Sequence, residues 1–289
     1  MDFFWPLVVV RCMHLGSLLI LFGASLFALY EGPAPGDPRT YRWLASLALV
    51  TGGVWLLLSL ADMLDGVAGL AALATWHAFF FETGFGRVWA VRLAGLLALL
   101  VCTLRSTRSR GEIAALCGLS GALSIGMAWL GHAAAGQGVE WLANLASYGC
   151  HVLGAGAWLG GLVPLSRSLR GHADIARQRA TLARFSQMGM AAVALIAASG
   201  ILNAAFRSLG FDSLLTTSYG RLLAVKVLLF LGLISLAAIN RWVFLPRLSA
   251  YPEATEALSS LRRSVVLELT LGAAIVAVAA VLGSTAPGE

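Results

Sequence analysis

Runs of about twenty residues with almost no charge recur along the whole chain. No feature constrains the fold more. In hydrocarbon only a helix or a closed barrel satisfies the backbone, and a helix needs roughly 20 apolar residues to cross. The runs are Phe4–Tyr30, Tyr41–Ala61, Gly86–Leu104, Ile113–His132, Asn144–Leu165, Leu182–Phe206, Tyr219–Arg241 and Val265–Gly283. They predict an all-α polytopic membrane protein of about eight transmembrane helices, one integral domain over residues 1–289. Gly66–Phe81 is apolar but too short to cross and carries Trp76 and His77 near its end, which predicts an interfacial or re-entrant helix. With 59% hydrophobic and 12% charged residues, an ordinary soluble domain is excluded. The net charge of +6 is then a topology signal and not a mark of nucleic-acid binding.

The cations orient the bundle. Arg105, Arg108 and Arg110, then Arg167, Arg170, Arg177, Arg179 and Arg184, then Arg247, Arg262 and Arg263 fall in one set of connections. The opposite set holds Asp62, Asp65, Glu82, Glu140 and Asp212. The basic set is expected in the cytoplasm, with both termini in the periplasm. Asp2 and Arg11 argue for a first spanning helix and against a cleaved signal peptide. Trp5, Trp43, Trp89, Trp141 and Trp242, near span ends, suit an aromatic belt.

On this topology four of the five histidines gather in the outer half of the membrane: His14, His77, His132 and His151. His172 lies alone in a charged inner loop. Ionisable side chains inside a span are costly, so His14 and His151 are candidate ligands. His151 opens the segment from His151 to Gly161, where Gly156 and Gly160, four apart, offer a small face for close helix packing. Arg92 and Lys226, deeper than the interfacial Arg87 and Arg221, need partners or water, and Glu268 is expected to pair structurally. Cys12, Cys102, Cys117 and Cys150 have neither disulfide-framework nor CxxC spacing.

The chain also repeats itself. Thr83–Arg92 matches Thr217–Lys226 as T-x-(aromatic)-G-R-x-x-A-V-(cation), and Ala128–Gly136 echoes Ala280–Gly288. The third and fourth spans thus correspond to the seventh and eighth, which predicts two parallel four-helix repeats, residues 1–136 and 144–289, about an axis along the membrane normal. His14 and His151 then sit at equivalent depth, and the repeat allows them to face each other across that axis. The repeat breaks at Ser284, which stands where His132 would, and the second half lacks a counterpart of His77.

Several motifs resemble the CopD family of copper-resistance membrane proteins. They are His151, Trp158, Gly160, Gly161 and Leu162; then Thr217, Tyr219, Gly220, Arg221, Leu223 and Lys226; then Asn240–Arg241 and Glu268. The resemblance implies an inner-membrane protein of copper homeostasis that moves copper from periplasm to cytoplasm. It also implies a separate periplasmic copper-binding partner of the CopC type, in addition to copper ions and membrane lipid. The ligand types agree, since imidazole suits copper, and thiolate or thioether suits Cu(I). Cys12, Met13 and Cys150 lie beside the two membrane histidines, and Met127 lies five residues before His132. The expected metal site is His14 and His151, with His132 and His77 as a third ligand or a relay. A transporter, not an enzyme, is expected. The rival is bis-histidine ligation of haem b in a redox protein resembling HemJ-type oxidases, with the same histidines as axial ligands.

Overall fold

The computed structural model describes residues 3–32, 38–104, 109–130, 138–170, 174–206, 216–249 and 253–285. Among them every regular element is helical: α1 (Phe4–Glu31), α2 (Pro38–Met63), α3 (Leu73–His77), α4 (Gly84–Cys102), α5 (Arg110–Ile125), α6 (Gly138–Ala155), α7 (Gly161–Arg170), α8 (Ile175–Ala205), α9 (Ser218–Ile239), α10 (Leu245–Arg247) and α11 (Glu253–Leu282). Seven helices are long and apolar enough to cross a bilayer: α1, α2, α4, α5 with its extension to Leu130, α8, Ser218–Arg247 and Thr255–Leu282.

The span expected at Asn144–Leu165 is built differently. It lies in the stretch Gly138–Arg170, where the π-helical turn Gly156–Gly160 divides α6 from α7. A π turn holds one extra residue and breaks the α-helical register. Here it falls where Gly154, Gly156, Gly160 and Gly161 weaken the preference for one regular helix. Among the described residues the eight expected spans are therefore seven helices of crossing length and one composite.

Caps fix where helices begin. Thr83 accepts a hydrogen bond from the Gly86 amide at 2.9 Å, and Thr217 accepts one from Gly220 at 2.9 Å. The repeated T-x-x-G is thus an N-cap used twice. Ser109 and Glu112 form a capping box on α5. Gly66–Phe81 does not cross. It forms a 3-10 turn (Ala68–Ala71), α3 and a π turn (Ala78–Glu82), docked through Phe79 onto a cluster with Trp55, Leu60, Trp89 and Met127. Trp89, expected in the aromatic belt, is instead fully buried and meets Trp55 edge-on. Trp5, Trp43 and Trp242 are exposed as expected.

α1 and the α6–α7 composite form the central pair. Around α1 pack α2, α5 and α11, with α4 on α2 and α5; α8 packs on α6, and α9 on α11. The central pair crosses at glycine. A side chain on Gly23 would run into the backbone at Gly156, Gly160 and Gly161, and one on Gly160 would run into the backbone of Leu19 and Gly23. Such backbone contact is what small residues permit in a membrane. Gly23 is nine residues after His14, and Gly160 nine after His151. Each histidine therefore lies roughly 13 Å along its own helix from the crossing.

Side-chain pairs tie the basic end together. Arg184 makes a bidentate pair with Glu31 at 2.6 and 2.8 Å, and Thr181 adds a bond to the same carboxylate. Arg262 donates to the Leu169 carbonyl at 2.7 Å, and Arg42 to that of Leu104 at 3.1 Å.

Candidate metal centre

Two matching sockets hold the membrane histidines. In the first half, His14 Nδ1 lies 2.9 Å from the Ala48 carbonyl and 3.2 Å from Thr51 Oγ1 on α2. In the second, His151 Nδ1 lies 3.2 Å from the Ile196 carbonyl and 3.1 Å from Ser199 Oγ on α8. In both, the hydroxyl donates to carbonyls of its own helix: Thr51 to Leu47 and Ala48, Ser199 to Leu195 and Ile196. A glycine follows the hydroxyl each time; a side chain on Gly52 would press on the His14 ring, whereas one on Gly200 would make ordinary contact with His151. Gly52 faces His14 Cε1, and Gly200 faces His151 Cε1.

The carbonyl fixes the tautomer. Nδ1 carries the proton and donates it, which leaves the lone pair on Nε2. This second partner is what a metal-binding imidazole uses to hold its orientation. Each ring engages the second helix of its own half.

The sockets differ in burial. His14 is fully buried, and its Nε2 accepts from Arg92 at 2.6 Å. Arg92 also donates to the Leu123 carbonyl at 2.8 Å and so bridges α1, α4 and α5. The cation expected to need a partner has found the first-half histidine. His151 is half-buried. His77 is exposed, tilted on Phe81 and 3.6 Å from Glu82. His132 and His172 lie outside the described residues. Among the described residues no three His, Cys, Asp or Glu side chains group as metal ligands.

Above the first socket, toward the end away from the arginine-rich loops, a cavity of about 310 Å3 is lined by Arg11, Trp55, Ser59, Asp62 and Ser284 among others. Trp55 forms part of its wall and packs edge-on against His14. Arg11 lies over the Trp55 ring and donates to the Gly283 carbonyl, joining α1 to the end of α11. This polar mouth was not legible in the sequence, since it needs residues from five elements. Cys12, Cys102, Cys117 and Cys150 are free thiols, with Cys117 buried and Cys150 exposed.

The sequence matches two descriptions in succession, "copper resistance protein D-like, N-terminal domain" over residues 1–142 and "copper resistance protein D" over residues 179–282. The inner membrane protein YebZ of Escherichia coli is 30% identical over 262 residues, which cover 86% of this chain and 87% of that protein. The chain belongs to the copper resistance protein D family. Copper resistance protein D of Pseudomonas syringae pv. tomato is 28% identical over 299 residues, 97% of this chain and 96% of its own length. The copper transport protein CutJ of Bacillus subtilis is 30% identical over 250 residues, 80% of this chain and 45% of CutJ. No solved structure matches.

In this copper resistance family member, sequence reasoning singled out both histidines but missed their clamps. The usable signal was the pair Thr51-Gly52 and Ser199-Gly200, a hydroxyl followed by glycine in the helix that follows each histidine helix. Near the basic end, Asn240 donates to the Glu268 carboxylate, the structural pairing expected for that buried acid.

Proposed function

We propose that the protein binds copper at an outward-facing histidine site and moves it across the inner membrane into the cytoplasm. One observation carries this reading. Two imidazoles, at matching positions in the two halves, are each pinned through Nδ1 so that Nε2 is the ligating nitrogen. Copper accepts imidazole readily. His151, half-buried, is the first membrane ligand. His14 joins when Arg92 withdraws, because the guanidinium now occupies the Nε2 lone pair that a metal would use. His77 and His132 serve as a third ligand or a relay at the outer rim. A separate periplasmic protein of the CopC type delivers the ion.

The family membership, the relative named a copper transport protein and the one named an inner membrane protein support this reading. The arginine-rich end lies in the cytoplasm and both termini outside, by the distribution of cations. The two halves, residues 1–136 and 144–289, act as repeats about the Gly23–Gly160 crossing. Bis-histidine haem draws no comparable support, because the matched family descriptions and the relatives named above refer to copper or to the inner membrane.

The test is equilibrium copper binding to purified wild-type, His14→Ala and His151→Ala protein, with the Soret region recorded on the same samples and copper accumulation measured in cells. Copper affinity should fall at least tenfold in His151→Ala and less in His14→Ala, with accumulation falling in parallel. Unchanged affinity in both variants overturns the site. A Soret band lost in either variant transfers it to haem.

A further inference from the structure

The histidine sockets leave a second cavity unexplained. It measures about 260 Å3 and lies between α8 and α9, toward the basic end. These two helices are not packed against each other. The gap gives the cavity a side facing the apolar exterior of the bundle, with exposed Met190 and Trp242 in its wall. Its walls are almost wholly apolar, and its polar groups are few and specific.

The floor is Trp158, Asn240 and Glu268, all buried. Asn240 donates its amide N–H to the Glu268 carboxylate, and Trp158 hydrogen-bonds the same carboxylate. That commits the Asn240 nitrogen and leaves Oδ1 as an acceptor. Oδ1 is buried and has no hydrogen-bond partner. Buried polar atoms without partners are rare and call for an explanation. At the rim Arg241 donates to Ser186 at 2.8 Å. Trp158 and Asn240 both sit on π-helical turns, Gly156–Gly160 and Asn240–Phe244. Such turns displace side chains from the α-helical pattern and recur at functional sites.

These features select a ligand class. The open side calls for a molecule dissolved in the bilayer. A plain acyl chain leaves Oδ1 unpaired. A phosphate head is repelled by the Glu268 carboxylate and the Asn240 oxygen. The head must donate a hydrogen bond, and the aromatic wall of Trp158, Phe185 and Trp242 favours a flat ring. We propose that this cavity binds a lipid-soluble phenol of the quinol type, its hydroxyl donating to Asn240 Oδ1, its ring against the aromatic wall and its tail leaving between α8 and α9.

The test uses full-length protein in phosphatidylcholine nanodiscs, titrated with a decyl-tailed benzoquinol under reducing conditions and with its dimethyl ether. Bound ligand is read by native mass spectrometry and by quenching of tryptophan fluorescence. The quinol should bind at least tenfold more tightly than the ether, which keeps ring and tail but has no donor. Asn240→Leu should remove that preference, and Ala238→Trp, which fills the cavity, should abolish binding of both. Copper affinity measured on the same samples should not change, which separates this site from the histidines. Equal binding of quinol and ether by the wild type, or binding retained by a folded Ala238→Trp variant, overturns the proposal. The wild-type comparison alone decides it if a variant fails to fold.

Discussion

The two histidine sockets are built from the same parts and end in different states. Each has an imidazole on the first helix of its half, a carbonyl and a hydroxyl three residues apart on the second, and a glycine beneath the ring. In the first half the socket is sealed, with His14 fully buried and Arg92 on its outer nitrogen. In the second the ring is half-buried and its helix is broken by a π turn seven residues short of the basic cluster at Arg167. A matched scaffold with one fully buried and one half-buried imidazole suits a site that receives an ion on one side and admits a second ligand afterwards. The locking group is a cation, so a metal binding at His14 would have to compete with Arg92 for the same lone pair.

The comparison rests on the glycine crossing, and breaking that crossing should have the largest effect. Gly160→Leu or Gly23→Leu drives a side chain into backbone that cannot yield, and overpacking of this kind costs about 3 kcal/mol or more. Thermal unfolding in detergent, followed by size-exclusion chromatography, should show loss of the folded monodisperse protein. Gly16→Ala meets nothing within 4 Å and should leave the midpoint unchanged. A folded Gly160→Leu protein with wild-type stability would remove the crossing as the axis of the molecule.

Unlocking the first socket comes next. Arg92→Gln keeps a hydrogen-bond donor but withdraws the charge that holds Nε2. Made in the His151→Ala background, it should raise copper affinity at His14, read by competition with a chromophoric chelator. It should also lower stability by about 1–3 kcal/mol, the cost of weakening buried charge-assisted bonds. Unchanged copper affinity would mean that Arg92 is purely structural. A pH series sharpens the same contrast. A protonated imidazole has no lone pair, so affinity should weaken in acid. The fall should be steeper in the wild type, with two histidines, than in either single alanine variant. A flat profile would exclude imidazole as the ligand.

A smaller effect is expected from the hydroxyls. Thr51→Val and Ser199→Ala each remove one of two partners of Nδ1 and leave the carbonyl. Loss of such an outer partner typically costs about tenfold or more in metal affinity. Ser199→Ala should show the effect directly, and Thr51→Val only once Arg92 is also replaced. Equal effects in the wild-type background would make the two sockets equally accessible and dissolve the distinction between them.

These contrasts also mark how far the sequence could be read. Spans were legible because hydrocarbon forces long apolar helices, and the N-caps were legible because Thr83 and Thr217 head the same local pattern. Local rules reach one helix at a time. The partnership of Arg92 with His14 joins residues 78 apart, and that of Asn240 with Glu268 joins residues 28 apart. Each member was visible as a polar residue in need of a partner, but only packing decides which one it meets. The π turn at Gly156–Gly160 was hidden for a related reason: glycine permits it, and the close approach of α1 at Gly23 accompanies it. Trp89 misled because its position near a span end resembles an interfacial anchor, whereas the docked segment at Phe79 covers it.

The least effect should come from His77, and its small size is informative. The ring is 70% exposed and lies 3.6 Å from a Glu82 carboxylate that is itself 67% exposed. Exposed ion pairs of this kind contribute at most about 1 kcal/mol and weaken with salt, so His77→Ala should leave the unfolding midpoint almost unchanged. A solvent-facing imidazole beside a carboxylate suits capture of an arriving ion better than its retention. His77→Ala should therefore slow copper association, measured by stopped-flow quenching of tryptophan fluorescence, by no more than a few-fold, while equilibrium affinity stays within error. The deficit should shrink as ionic strength rises, because salt screens the attraction of the Glu82 carboxylate for a cation. A large loss of equilibrium affinity would make His77 a permanent ligand. The outer connection would then have to move inward onto the half-buried ring of His151, and the second socket would no longer receive the ion on its own.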